Sequence, residues 1–321
     1  MGKIGAAAAL LAALLLGQAM LVSAAAISVS QFVEHPALDS VLRGFQDYLQ
    51  EKGIAAEYTV HNAQANMGTA GQIAQQMIGE KADLLVAIAT PSAQSCAQAL
   101  HKAPAELKRP LLFSAVTDPV AAGLVKDLAR PEGGVTGVSD LLPIEEHIKM
   151  VLAFHGSVSR LGLLYNAGEA NSKATVASIK ALSERLGFTT VEATAAKTAD
   201  VFQAAKSLVG RVDAVFIPTD NTIVSALESV LKVGVQNSLP IFAADVDSVK
   251  RGAVAAMGFD YYRHGYQTGA MAEKILGGVR PEDLPVEFQQ DLELHINLGA
   301  SRQMGLTPPE ALLQQAAQIY E

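Results

Sequence analysis

The sequence predicts an α/β protein made of two similar doubly wound lobes, each a parallel β-sheet covered by helices. A helix, an Asp and an apolar strand that ends on Thr occur twice, at residues 72–90 and 202–219. The neighbouring units repeat as well, because a strand at 27 and a helix end at Gly53 have counterparts at 161 and Gly187, both 134 residues later. Strands that are short continuous apolar runs are typical of parallel sheets buried on both faces.

Length and composition agree with this prediction. The 321 residues suggest about two domains, and 50% apolar content with 5% aromatic residues and no Trp favours a core of small aliphatic side chains. The net charge of −8 argues against nucleic acid or an anionic membrane as a partner. Cys96 is the only cysteine, which excludes an intramolecular disulfide, and we expect it to be a small buried hydrophobe.

Residues 1–26 resemble a secretory signal peptide. A short basic start with Lys3 precedes the apolar stretch 4–22 and a small-residue cleavage pattern at 22–26. The alternative is an uncleaved membrane anchor, because the apolar stretch is nearly long enough to span a bilayer. Since no Cys follows the stretch, we expect no lipid anchor. The sequence therefore predicts a periplasmic protein with no membrane anchor after signal cleavage.

The first lobe is predicted from strands at 27–33, 84–88 and 111–113, with a helix at 39–50 that ends before Gly53. Glycine suits the left-handed conformation that follows many helix ends. Glycines at 133–137 mark the end of this first copy. The predicted first lobe covers 27–138, together with a returning segment at about 261–284.

The second lobe is predicted from strands at 161–164, 214–217 and 241–243, with a helix at 171–186 that ends before Gly187. The stretch 252–260 is predicted to end the last strand of this copy. A helix at 262–276 and an extended segment at 286–297 fit neither copy, so we expect the chain to return to the first lobe and cross again. The second lobe then covers 139–260 and about 285–321, and a three-segment hinge joins the lobes.

Candidate ligand-binding residues follow the strands, because ligands of open parallel sheets bind beyond the carboxyl ends of the strands. Each of them could instead be a helix N-cap, which prefers the same residue types. Their recurrence at equivalent positions of both copies favours one shared cleft. The candidates in lobe one are Gln31, Leu38, Thr90, Pro91, Ser92, Thr117 and Asp118, and those in lobe two are Asn166, Asn171, Thr219, Asp220, Asn221 and Asp245.

The two Thr motifs predict complementary chemistry. Hydroxyls and free helix N–H groups at 90–92 suit a carboxylate, whereas the Asp220 carboxylate suits an ammonium, so together they describe a zwitterion site. The sequence contains no G-x-S-x-G, Walker, H-E-x-x-H or G-x-G-x-x-G motif, and His147 and His155 are too far apart for an i, i+4 metal pair. We expect no catalytic residue, no metal and no cofactor.

Several segments together carry a family resemblance across the mature chain. They are His35-Pro-Ala-Leu38, Ala89-Thr-Pro-Ser-Ala93, Val116-Thr-Asp-Pro-Val120, Val135-Thr-Gly-Val-Ser-Asp140, Pro218-Thr-Asp-Asn221 and Val254-Ala-Ala-Met-Gly-Phe-Asp-Tyr-Tyr262. The chain resembles the ABC-transporter substrate-binding proteins of the tryptophan/tyrosine-binding type, which implies a type I periplasmic-binding fold. The resemblance also implies that Thr90 and Ser92 hold a carboxylate and Asp220 an amine. It puts Gln31, Leu38, Asn166, Asn171, Asn221 and Asp245 at the cleft loops.

The predicted function is solute binding for an ABC importer. We expect a small zwitterion, an aromatic or branched apolar amino acid, to be held by hinge closure and presented to permease and ATPase subunits. Two alternatives remain at this point. One is a sensing module that docks on a membrane receptor, and the other is a secreted α/β enzyme that uses Asp118, Asp220 or Asp245 as acid/base.

Overall fold

The structure is a computed structural model that describes residues 24–156 and 158–321. The predicted signal peptide lies outside the described residues, apart from its last three positions. Within these ranges, no helix combines the length and the apolar character needed to cross a membrane.

The strands and helices are numbered in chain order. The strands are β1 Ala25–Gln31, β2 Ala56–Asn62, β3 Leu84–Ile88, β4 Leu111–Val116, β5 Val135–Ser139, β6 Arg160–Tyr165, β7 Thr189–Thr194, β8 Ala214–Ile217, β9 Ile241–Ala243, β10 Ala255–Gly258, β11 Glu287–Phe288, β12 Glu293–Asn297 and β13 Gln318–Tyr320. The helices are α1 Pro36–Glu51, α2 Met67–Gly79, α3 Thr90–Lys102, α4 Ile144–His155, α5 Ala170–Leu186, α6 Val201–Lys206, α7 Asn221–Ser225, α8 Leu227–Gln236, α9 Val246–Arg251, α10 Tyr261–Leu276, α11 Leu298–Gln303 and α12 Glu310–Gln315.

The first sheet has six parallel strands in the order β2-β1-β3-β4-β5-β11. The second has four parallel strands in the order β7-β6-β8-β9, which repeats the β2-β1-β3-β4 part of the first. It continues toward β10, because the Val254 amide donates to the Ile241 carbonyl at 2.7 Å. Antiparallel β12 and then β13 follow β10. The predicted pair of similar doubly wound lobes is confirmed.

The chain crosses between the two sheets three times, which gives the three-segment hinge. The crossings follow Ser139, Gly258 and Phe288, at the ends of β5, β10 and β11. Because β11 pairs with β5 in the first sheet, the last crossing comes a few residues after the expected boundary at about 285. Each sheet has its own hydrophobic core, one around Phe45 and Phe113 and the other around Phe216 and Phe242.

Helix α10 returns to the first lobe and packs closely on α1. A Cβ added at Gly265 would overlap the Val41 carbonyl, and one at Gly44 would overlap the Tyr262 carbonyl. Small residues let the two helix backbones approach where any side chain would separate them. This contact ties the segment after the second crossing to the first lobe.

Most predicted element bounds agree with the structure. The strands expected at 84–88, 214–217 and 241–243 are β3, β8 and β9. Gly53 and Gly187 have φ angles of 69° and 79°, in the left-handed region expected after a helix end. Helix α1 begins at Pro36, earlier than predicted, because His35 caps it through the Leu38 amide.

Candidate functional site

The carboxyl ends of the strands of both lobes face one cavity. It lies beside the hinge, and its walls come from the loops after β1, β4 and β5, the start of α10, and the loops after β6, β8 and β9. The lining residues are His35, Ala37, Leu38, Ala115, Thr117, Asp140, Asn171, Thr219, Asp220, Asn221, Val224, Asp245 and Tyr261.

Side chains join the lobes directly across this cavity. The hydroxyl oxygens of Thr117 and Thr219 lie 3.1 Å apart, and His35 Nε2 lies 3.5 Å from Asn221 Oδ1. Burial lowers the pKa of His35, which favours a neutral imidazole that donates from Nε2. The cleft is therefore closed in this structure.

A bulge at the end of β4 positions Thr117. The register of β4 against β5 shifts between Ser114 and Val116, and Ala115 has a φ of 54°. The Ala115 amide donates to His264 Nε2 at 3.0 Å, and burial lowers the pKa of His264 to about 4, so the ring stays a neutral acceptor. His264 thus stabilises a strained backbone conformation at Ala115, and this conformation places the Thr117 hydroxyl against Thr219 of the second lobe.

The Asp220 carboxylate is held by donors of its own lobe. Oδ2 accepts from the Asn166 amide and the Ser172 hydroxyl, both at 2.6 Å, and Oδ1 accepts from the Ile223 amide at 2.8 Å. The last contact makes Asp220 the N-cap of α7. Burial and the nearby charge of Glu169 raise the pKa of Asp220 to about 8.

Glu169 binds the start of α7, next to Asp220. Its carboxylate is 1% exposed and accepts from both the amide nitrogen and the side chain of Asn221 and of Thr222. It also accepts from Asn171 Nδ2 at 3.0 Å. Glu169 thereby fixes the orientation of two amide side chains that line the cavity, Asn171 and Asn221.

Two further carboxylates line the cavity. Asp140 follows β5, and its Oδ2 accepts from the Tyr261 hydroxyl at 2.9 Å. Burial raises the pKa of Asp140, although the hydroxyls of Tyr261 and Thr117 oppose the rise. Asp245 caps α9 and accepts from the amide and hydroxyl of Ser248 at 2.8 and 2.7 Å.

A second chamber with several aliphatic side chains in its wall lies on the other side of the Thr117–Thr219 contact. It shares those two threonines with the first cavity. Leu141 in this chamber is 48% exposed, although it is a large apolar side chain. The remaining lining residues are Asp118, Leu142, Ile144, Ala174, Thr175, Ser178 and Ala244.

The structure brings most of the predicted site residues together. Those that line the inner cavity are Leu38, Thr117, Asn171, Thr219, Asp220, Asn221 and Asp245. Asp118 lines the outer chamber. Gln31, Thr90, Pro91, Ser92 and Asn166 are not among the lining residues of either chamber.

Those five residues have other surroundings. Gln31 Nε2 donates to Asp39 at 2.7 Å, and Asn166 Nδ2 donates to Thr222 at 2.9 Å. Ser92 Oγ accepts from Ser30 within lobe one, and Thr90 Oγ1 is buried without a hydrogen-bond partner. Pro91 occupies the first turn of α3.

Sequence reasoning missed several members of the cavity. The residues absent from the prediction are Ala115, Asp140, Val224 and Tyr261, and the supporting Glu169 is absent as well. His35 and Ala37 lie in the segment His35-Pro-Ala-Leu38, from which only Leu38 was taken as a candidate. Asp140 follows a strand just as Thr117 and Asp220 do, so the same end-of-strand rule could have found it. β5 contains Thr136, Gly137 and Ser139, which obscure the apolar run that marks a buried strand.

A family model and a curated relative match almost all of this chain. The model for ABC transporter substrate binding protein matches residues 26–320. A tyrosine-binding protein of Clostridioides difficile is 39% identical over 275 residues, which cover 84% of this chain and 78% of the relative.

Solved structures agree with this similarity. A conserved domain protein of Vibrio cholerae has a TM-score of 0.88 at 41% identity, covering 92% of this chain and 99% of that one. An ABC domain from Streptococcus pneumonia in complex with L-Trp has a TM-score of 0.87 at 34% identity, covering 92% and 100%. A ligand-free, open substrate-binding protein from Clostridium difficile has a TM-score of 0.66 at 35% identity, covering 92% and 99%.

Proposed function

The chain belongs to the ABC transporter substrate-binding protein family, and we propose that it binds an amino acid between its lobes for import. It is a solute-binding protein and not an enzyme, which removes the acid/base role considered for Asp118, Asp220 and Asp245. Its partners are a small-molecule ligand and an ABC transporter. In this proposal they are an amino acid and the permease and ATPase subunits of an importer.

The observation that carries the proposal is a cavity closed by both lobes and rich in carboxylates. Asp140, Asp220 and Asp245 line it, whereas no Lys or Arg does so in the described parts of the chain. A pocket of this kind favours a ligand with a positively charged group. An amino acid has such a group and can contact both lobes at once.

The carboxylate of the ligand is assigned to lobe one. Ala37 and Leu38 in the first turn of α1 line the cavity, and a helix N-terminus favours an anion. β3 lies between β1 and β4 in the sheet, so Thr90 follows a strand whose two neighbours both lead into cavity loops. Its unpartnered hydroxyl supports the predicted role of Thr90 as a donor to the carboxylate.

The side chain of the ligand is assigned to the outer chamber. Leu141, Leu142 and Ile144 give this chamber an apolar wall, and it meets the inner cavity at Thr117 and Thr219. An aromatic or branched apolar side chain would cover part of this exposed surface, which is favourable by about 25 cal/mol per Å². The named relatives that bind tyrosine and tryptophan support this size class.

Hinge closure is the proposed mechanism. A ligand that touches both lobes favours the closed state by its contacts there. At the same 92% coverage and nearly equal identity, the chain has a TM-score of 0.87 with the L-Trp complex and 0.66 with the ligand-free open protein. This difference supports two lobe arrangements in the family, of which the present structure has the closed one.

We expect the protein to work outside the cytoplasmic membrane, as substrate-binding proteins generally do, and we propose the periplasm as its location. The signal peptide at residues 1–26 is part of this proposal. The division into lobes is another part: 27–138 with 261–288, and 139–260 with 289–321.

Calorimetric titration of ligand-stripped protein with L-Trp, L-Tyr and L-Leu tests the proposal. We expect saturable binding of at least one of them, with thermal stabilisation of about 2.7 kcal/mol at one hundred times the dissociation constant. Ala174→Phe fills the outer chamber and should weaken L-Trp far more than L-Ala, whereas Ala177→Phe on the exposed side of the same helix is the matched control. Absence of binding by every amino acid would refute the proposed ligand class.

A further inference from the structure

Two buried hydrogen-bond acceptors in the inner cavity have no partner. They are Asp140 Oδ1 and Asn171 Oδ1, on side chains of residues that are each 3% exposed. Among the described residues, these are the only unpartnered buried side-chain atoms that belong to the lining of this cavity. An acceptor that is buried without a donor costs about 1–3 kcal/mol, so such atoms are rare unless something else binds them.

The orientation of the Asn171 amide is fixed by its surroundings. Nδ2 donates to the Thr219 carbonyl at 2.6 Å and to Glu169 Oε2 at 3.0 Å. Both partners are acceptors, so a rotation that exchanged the nitrogen and oxygen of the amide would lose both hydrogen bonds. The free atom of Asn171 is therefore its oxygen.

Asp140 is similarly restrained. Its Oδ2 is engaged by the Tyr261 hydroxyl at 2.9 Å, and its Oδ1 has no donor in hydrogen-bonding geometry, although the Thr117 hydroxyl lies near enough to oppose the rise in the Asp140 pKa. Asp140 lies at the first crossing between the lobes, directly after β5, whereas Asn171 lies in α5 of the second lobe. One free acceptor thus belongs to the first crossing between the lobes, and the other belongs to the second lobe.

Asp220 differs from Asp140 in this respect. Both of its oxygens already accept hydrogen bonds, from Asn166, Ser172 and Ile223. Its contacts all lie within the second lobe, and one of them caps α7. Although Asp220 lines the cavity, both oxygens of its carboxylate are therefore used to hold the structure of the second lobe.

From these contacts we infer that Asp140 and Asn171 form the ammonium subsite of this cavity, with Asp140 as the charged partner in place of Asp220. This inference rests on the proposed function and names the group that each residue recognises. An ammonium carries three N–H donors and no acceptor, so it has a donor for each of the two free oxygens that line this cavity. A carboxylate offers only acceptors and would leave them unsatisfied.

The test compares L-Trp with two analogues that each lack one charged group. Tryptamine has the amine only, and indole-3-propionate has the carboxylate only. With the wild-type protein, we expect tryptamine to bind more tightly than indole-3-propionate. This comparison needs no variant, so it holds even if a substitution at Asp140 impairs folding.

Asp140→Asn keeps the shape of the side chain and removes its charge. We expect it to weaken L-Trp roughly 10- to 100-fold, the effect of losing one charge-assisted hydrogen bond. It should change indole-3-propionate by less than about threefold, because that ligand has no amine to lose a contact. The quantity to measure is therefore the ratio of the dissociation constant of indole-3-propionate to that of L-Trp. The same ratio is measured for Asp220→Asn in parallel.

Each outcome has a separate meaning. A ratio that collapses in Asp140→Asn supports the subsite. A ratio that persists in Asp140→Asn and collapses in Asp220→Asn overturns it, while amino-acid binding by the wild type leaves the proposed function intact. Tighter binding of indole-3-propionate than of tryptamine by the wild type also overturns it. If the wild type binds no amino acid, the proposed function fails and this inference fails with it.

Discussion

Thr117 of the first lobe and Thr219 of the second share a hydrogen bond, with their hydroxyl oxygens 3.1 Å apart across the cleft. The two residues also form the boundary between the carboxylate-rich inner cavity and the outer chamber that contains Leu141, Leu142 and Ile144. One contact therefore both closes the lobes and separates the parts of the site that we assign to the two ends of the ligand.

Replacing Thr219 by Val removes this hydrogen bond with little change of shape. A neutral hydrogen bond contributes about 0.5–1.5 kcal/mol, so we expect affinity for L-Trp or L-Tyr to fall roughly 2- to 10-fold. Calorimetry measures the change. Thr190→Val on β7, remote from the cleft, is the control and should leave affinity unaltered; an equal loss in both variants would contradict a specific role for the bridge.

Asp220→Ala should destabilise the protein even without ligand. It removes the N-cap of α7 and leaves the Asn166 amide and the Ser172 hydroxyl without their acceptor. We expect a loss of about 2–4 kcal/mol in the free energy of unfolding, measured by urea denaturation. Asp200→Ala is the control, since Asp200 precedes α6 without a side-chain cap. Unchanged stability in Asp220→Ala would rule out the structural role given to this residue.

The contact of α1 with α10 predicts opposite effects for two Gly→Ala substitutions. At Gly265 the added methyl overlaps the Val41 carbonyl, so we expect at least about 2 kcal/mol of destabilisation. At Gly71 in α2 nothing lies within 4 Å, and Ala should stabilise by about 0.5–1 kcal/mol through its higher helix propensity. Thermal and urea unfolding distinguish the two; similar effects at both sites would argue against the close helix crossing.

Because His264 is buried, we expect the stability of the folded protein to fall in acid. Burial lowers its pKa in the folded protein to about 4, below the ordinary 6.5. The unfolded chain therefore takes up a proton first as pH falls, so stability is complete above about pH 6.5 and is lost between there and about pH 4. Protonation of this one side chain lowers the free energy of unfolding by about 3 kcal/mol over this pH range.

His264→Gln can still accept the Ala115 amide but does not titrate. We expect its unfolding free energy to depend less steeply on pH in that window than the wild type, as measured by urea denaturation at several pH values. His101→Gln changes an exposed histidine and should retain the wild-type slope. Parallel pH profiles for His264→Gln and the wild type would show that the buried ring does not titrate as described.

Local sequence patterns predicted the fold well and the site only in part. β3 and β8 are uninterrupted apolar runs between an Asp and a Thr or Pro, so their bounds could be read directly. The loops after them contain Thr90 and Asp220, which the end-of-strand rule identified. Which atoms of these residues remain free depends on distant partners, and no local pattern encodes them. Glu169, which engages Asn221 some fifty residues away, is an example.

The cavity members that were missed have the same explanation. Asp140 follows a strand with little apolar character, and Tyr261 meets it only because the chain crosses between the lobes a second time. The outer chamber combines Leu141 at the first crossing with Ala174 on α5, so it exists only once the lobes are docked. Contacts of this kind depend on the closed arrangement of two units that the sequence describes separately.

Closure of the lobes around the ligand can be measured as the distance between them with and without an amino acid. Spin labels at Glu34→Cys and Lys173→Cys, both exposed and on opposite lobes, report closure by pulsed EPR, and buried Cys96 should not react because burial raises its pKa to about 12. We expect saturating L-Trp or L-Tyr to convert a broad distribution into a narrower, shorter one. Identical distributions with and without an amino acid that calorimetry shows to be bound would contradict closure of the lobes around the ligand.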